Sequence, residues 1–243
     1  MGELATVLGH SVTAYFRNIR WILLFSVSFL LALAIPFLSP VPSYIALGGT
    51  FLRTGSIPQL APLDVVVIAL SFLASLFLLS FATVSINLVI KSQRTLTNVR
   101  SEVAHGIEKY AIGVFVLYLI AWPLLFLIGL ASYEVRLERA ATPLASFLLY
   151  TLLFYVPTAM VIDEVKPGRA FEVSLRMLFG KPVLFAAWLA IGFLLLSLVS
   201  LASLSLFPHP LAQYIALVIN SLVVLPFLTV MQTQMYLTKY TLL

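Results

Sequence analysis

The sequence predicts an all-α polytopic integral membrane protein, with six transmembrane helices and two or three amphipathic interfacial helices. Three observations carry this reading. Of the 243 residues, 62% are hydrophobic and only 9% are charged, against roughly 25% charged in soluble domains. Six apolar runs are each long enough to cross a ~30 Å hydrocarbon layer at ~1.5 Å per helical residue. The polar segments between those runs hold nearly all the charge.

The elements follow in order. Residues 3–20 place Leu4, Val7, Leu8, Val12, Tyr15, Phe16 and Ile19 at helical spacing and end in Arg17 and Arg20, a surface helix that feeds the first span. That span is expected over Trp21–Leu38. It begins too late and runs too long for the apolar segment of a cleaved signal peptide. A connection over 39–63, rich in proline and glycine and with Arg53 as its one basic residue, is expected to fold back onto the bundle or lie in the interface. The second span is expected over Val65–Ile90 and the third over Tyr110–Ser132. Between them, 92–109 forms a second polar amphipathic run. The fourth span is expected over Leu144–Ile162, the fifth over Val183–Leu206 and the sixth over Gln213–Leu237. The turn Phe207-Pro208-His209-Pro210 joins the last two.

The segment Asp163–Pro182 is a polar island. It holds seven charged residues, while 140–162 before it and 183–238 after it hold none. Pro167 suits the first turn of a helix, and Gly180 and Pro182 stop one. Asp163 and Glu164 precede that turn, where negative charge is favoured. Ala170, Phe171, Leu175 and Leu178 share one face, and Arg169, Glu172 and Arg176 lie on the other. This is an amphipathic helix expected to lie on a membrane surface, with Phe171, Leu175 and Leu178 facing inward.

Charge asymmetry sets the expected orientation. Eleven of the 14 basic residues lie on the side of the amino terminus, the second-to-third link, the fourth-to-fifth link and the carboxyl terminus; Arg53, Arg136 and Arg139 lie on the other. The positive-inside rule then places both termini in the cytoplasm of a cell-membrane protein. The chain reads as one transmembrane domain, 1–243, built of three units (1–90, 91–162 and 163–243), each a polar amphipathic run followed by a hairpin. Ser11 and Phe16 of the first run correspond to Ser174 and Phe179 of the third.

Val156-Pro157, Asp163-Glu164, Pro167-Gly168-Arg169-Ala170-Phe171, Ser174 and Phe179-Gly180-Lys181 form a pattern around the interfacial helix, followed by Pro226-Phe227 and Tyr236 in the last span. This pattern resembles the six-span prokaryotic membrane-domain family sometimes fused to glycerophosphodiesterases, with the YciC-like inner-membrane proteins as relatives. The resemblance implies a fold and a location and names no activity.

Candidate chemistry is sparse. The absence of cysteine removes disulfides, thiolate ligands and cysteine nucleophiles. Glu102-Val103-Ala104-His105 spells one Glu-x-x-His unit. Two such units and two further carboxylates facing a bundle core are needed for a di-metal site, so solvated surface residues are the expectation. No catalytic, cofactor or metal residues are assigned. The six apolar cores contain no Asp, Glu, Lys, Arg or His, which argues against a proton-coupled pump. Neutral polar residues remain: Asn87, Tyr155, Thr158, Gln232 and Gln234, at similar depth, are candidates for a polar cavity or for interhelical hydrogen bonds. Arg169, Arg176 and Lys181 are candidate lipid-headgroup contacts. The net charge of +5 is spread along the connecting segments, so the partners expected are membrane lipids, anionic ones among them, and an unidentified protein partner, not nucleic acid. The function expected is non-enzymatic support or organisation of such a partner or lipid. The alternatives are a transporter of a neutral or lipid-like substrate around Asn87 and Gln232, and a lipid-modifying enzyme with Asp64 as its acidic group.

Overall fold

A computed structural model describes residues 2–35, 62–134 and 136–240. Among these residues every regular element is helical: α1 (Gly2–Arg17), α2 (Ile19–Ala34), α3 (Pro62–Thr95), α4 (Val99–Glu134), α5 (Glu138–Leu153), α6 (Val156–Ile162), α7 (Pro167–Gly180), α8 (Pro182–Leu206), α9 (Leu211–Ile219), a π-helical turn (Asn220–Val224) and α10 (Leu225–Leu237). The expected connection over 39–63 and the last turn of the first span lie largely outside the described residues.

Among the described residues, five helical stretches are long and apolar enough to cross a membrane: Ala69–Thr95, Val99–Glu134, Ala140–Ile162, Pro182–Leu206 and Leu211–Leu237. A sixth is counted when α1 and α2, which meet at 90°, are taken together. The chain is an all-α polytopic membrane protein. Surface exposure along the spans is uneven. On α8, Phe193, Leu194, Leu198 and Leu201 stand open, as do Ile112, Ile120 and Leu127 on α4. The second half of α3 is enclosed: Ala82, Val84, Ile86, Leu88, Val89 and Ile90 are all buried, the signature of a helix surrounded by its neighbours. It packs against α2, α4, α6 and α10.

Two spans are broken, each beside a proline. Pro157 has no N–H for the carbonyl of Leu153, and its ring would strike that carbonyl in a continuous helix. The fourth span accordingly turns at Phe154–Tyr155, between α5 and α6. Pro226 imposes the same constraint on the sixth span. There the chain widens into the π-helical turn, where the Leu225 N–H reaches back to the Asn220 carbonyl.

The polar run 92–109 differs from the other two. Its residues from Val99 onward are the first turns of α4, continuous with the third span. The first run ends at Asn18 and the third at Gly180-Lys181-Pro182, whereas no such stop separates 99–109 from the span that follows.

Helix α7 docks through Ala170, Ser174, Met177 and Leu178. These positions are spaced i, i+4, i+7 and i+8 and form one stripe. Ala170 and Ser174 are small enough for α7 to approach α6 closely. Phe171, expected to point inward, is instead 36% exposed on the flank of that stripe. Leu175 is half-buried and Leu178 buried.

Candidate functional site

Charged and polar groups from the ends of α3, α4 and α10 converge on the loop Asp163–Lys166. Asp163 follows the last turn of α6, where the helix dipole disfavours an anion. Three donors outweigh that: Lys239 Nζ and Tyr236 OH donate to it at 2.6 Å each, and Tyr240 OH donates to its other oxygen. Burial raises the Asp163 carboxyl pKa, but the bonds from Lys239, Tyr236 and Tyr240 prevail and hold it below its ordinary value.

Glu164 has φ of 54°, a left-handed conformation that costs a non-glycine residue about 1–2 kcal/mol. Its carboxylate meets Lys91 at 2.7 Å and Lys109 at 3.1 Å. The hydrogen bonds from Lys91 and Lys109 lower its pKa to about 2. Lys91 reaches a second carboxylate, Glu102, at 2.8 Å, and its side chain is only 11% exposed. The expectation that Asp163 and Glu164 serve the start of α7 is therefore replaced. Both tie α6 to α3, α4 and the carboxyl end of α10, and α7 starts with no side-chain cap. Sequence spacing held no signal for these pairs, whose members lie 73, 55 and 76 residues apart.

Beside this junction lies a cavity of about 620 Å³, lined among others by Glu3, Thr6, His10, Arg94, Lys181 and Tyr240. Lys181 closes one wall: it pairs with Glu3 of α1 and donates to Thr238 Oγ1 at 2.9 Å. Arg94 forms another. Its guanidinium sits 4.1 Å from the centroid of the Tyr240 ring, and among the described residues it has no carboxylate partner.

The polar residues singled out from sequence go to different places. Asn87 is fully buried and accepts from Thr233 Oγ1 at 2.6 Å. Tyr155 and Thr158 are fully buried, and their hydroxyls find no partner among the described residues. Gln232 donates to the Phe154 carbonyl that the break in the fourth span leaves free, and it lines a groove facing α5 and α8. Gln234 lines the 620 Å³ cavity on the other side of α10. Of the candidate headgroup contacts, Arg169 is exposed, Arg176 pairs with Glu172 at 3.1 Å, and Lys181 is engaged as described. Glu102 pairs with Lys91, while His105 is exposed with Nδ1 2.9 Å from the Ser101 carbonyl. The side chain of Asp64 lies outside the described residues.

Ser174 is a residue whose role the sequence hid. Its hydroxyl donates to the Leu152 carbonyl and accepts from the Tyr155 N–H, both at 3.2 Å. One buried hydroxyl thus satisfies both sides of the break between α5 and α6.

The chain matches no protein-family model, no curated protein and no solved structure.

Proposed function

We propose that this chain is a non-enzymatic, six-span protein of the cell membrane, with both termini cytoplasmic, that holds anionic lipid headgroups at its charged end and so organises lipid or a membrane partner around it. The membership suggested by the resemblance to the glycerophosphodiesterase-associated and YciC-like membrane domains belongs to the same proposal. The observation that carries the reading is Arg94. Its neighbours Lys91, Lys109, Lys181 and Lys239 are all paired with carboxylates. Arg94 instead stacks on Tyr240 and faces the 620 Å³ cavity with His10 and Lys181. A planar guanidinium held this way suits bidentate contact with a phosphate. The excess of basic residues on the same side supports the orientation.

Native mass spectrometry of the purified chain with phosphatidylglycerol and phosphatidylcholine tests this reading. Preferential retention of phosphatidylglycerol, reduced about fivefold in Arg94→Gln, is expected from ~1 kcal/mol per charge at a headgroup. Equal retention by the two proteins overturns the reading. Reporters fused at the carboxyl terminus and near Lys166 should give a cytoplasmic signal, and one near Arg136 an external signal.

A further inference from the structure

Among the described residues, the 620 Å³ cavity is walled by one carboxylate and two full cations: Glu3, Arg94 and Lys181. All three are open to solvent. Arg94 is exposed, and the side chains of Glu3 and Lys181 are 55% and 30% exposed. The two cations are not equivalent. An ammonium has three N–H donors, and Lys181 directs all three at the protein: at the Glu3 carboxylate, at Thr238 Oγ1 at 2.9 Å and at the Thr238 carbonyl at 3.5 Å. Arg94 stacks on the Tyr240 ring and pairs with no carboxylate among the described residues. Glu3 lies in the first turn of α1, where the helix dipole favours a negative charge.

One carboxylate against two cations leaves a single unit of positive charge, and it resides on Arg94. A headgroup with one negative charge is matched by that guanidinium. A phosphomonoester carries about −1.5 to −2 at pH 7, and its second charge finds Lys181 already engaged. It can take Lys181 only by displacing the Glu3 carboxylate, which stays on α1 at the cavity wall and repels it. Resting on the anionic-lipid reading above, we propose that Glu3 sets the headgroup charge this cavity accepts. By holding Lys181, it restricts the site to a phosphodiester headgroup of one negative charge and disfavours a phosphomonoester of two. Specificity built this way uses a repulsive group as well as an attractive one.

The test is native mass spectrometry of the full chain in detergent, in competition among dioleoyl phosphatidylglycerol, phosphatidic acid and phosphatidylcholine. It is run at pH 8, where an imidazole is ordinarily neutral, so that His10 adds no charge to the cavity. Wild-type protein is expected to retain phosphatidylglycerol over phosphatidic acid. Glu3→Gln keeps the shape and an acceptor but releases the charge of Lys181. It should move the ratio toward phosphatidic acid by about fivefold, a one-charge effect at a headgroup. That gain should vanish when Glu3→Gln is made together with Lys181→Gln. Glu172→Gln removes the same charge from an exposed pair with Arg176 on α7 and should leave the ratio unchanged. A wild-type preference for phosphatidic acid overturns the proposal, as does an unchanged ratio in Glu3→Gln. A gain that persists without Lys181, or an equal gain in Glu172→Gln, does the same. In each of these cases retention of phosphatidylglycerol over phosphatidylcholine leaves the anionic-lipid reading standing, whereas equal retention of those two lipids by wild-type protein overturns both.

Discussion

Replacing Ser174 with alanine isolates what the docked helix α7 does for the broken fourth span. The change removes one oxygen from a fully buried site. It leaves the Tyr155 N–H without an acceptor and the Leu152 carbonyl without this donor. An orphaned buried polar group costs about 1–3 kcal/mol. Both bonds are at the long end of the normal range, at 3.2 Å, so a loss of about 1.5–2.5 kcal/mol is expected. Ser11→Ala is the matched control. Ser11 is equally buried, but its hydroxyl donates only to the Val7 carbonyl of its own helix, at 2.7 Å. Removing that bond orphans no N–H, and alanine favours the helix by about 0.5 kcal/mol. Thermal unfolding in mild detergent should lower the midpoint of Ser174→Ala by roughly 3–10 °C, at about 2–4 °C per kcal/mol, and leave Ser11→Ala unchanged or slightly raised. The Tyr155 amide should exchange faster with solvent in Ser174→Ala alone. Equal midpoints for the two variants would refute the reasoning, because the break would then be held by something other than this hydroxyl.

Three further outcomes follow from the same structure. Lys91→Met should destabilise the protein by about 2–3 kcal/mol, because it strips a nearly enclosed cation from two carboxylates that can only partly rehydrate. Lys109→Gln, at an exposed amine, should cost less than Lys91→Met, and a reversed order in detergent melts contradicts the ion-pair assignment. Acid should weaken the junction. Glu164 has a folded pKa of about 2 against an ordinary 4.5, so its contribution is fully present above pH ~4.5 and fades as pH falls toward 2. Because the side chain is 50% exposed, solvent screening reduces that contribution to about 1 kcal/mol. Melts at pH 7 and pH 3 should show the loss in wild type and a smaller one in Glu164→Gln. Met177→Asp should cost several kcal/mol, because it places an unpaired charge in the packed stripe of α7. Phe171→Asp, on the open flank, should cost far less in detergent; the opposite ranking would mean that α7 docks on its other edge.

The sequence by itself determined the class, the number of apolar runs, the helix over 167–180 and the amphipathic character of 2–17. Each is a local property: apolar length sets a span, and proline and glycine set a boundary. It also gave Ser11 and Ser174 corresponding places, which share burial in the structure but not hydrogen bonding. What only the tertiary structure decided is where the few polar groups point. Asp163 and Glu164 look like the acidic start of a helix, yet they bind lysines and tyrosines far along the chain. Phe171 and Ala170 are neighbours in sequence, and only packing against α6 decides that the small residue goes inward. Asn87, Gln232 and Gln234 have similar depth along their helices. The rotation of α10 against α1, α3 and α8 sends them into a buried bond, a lateral groove and the cavity of Arg94. Apolar length is written one residue at a time, whereas a polar contact between helices depends on the rotation and tilt of two elements at once, and no spacing along one of them records that.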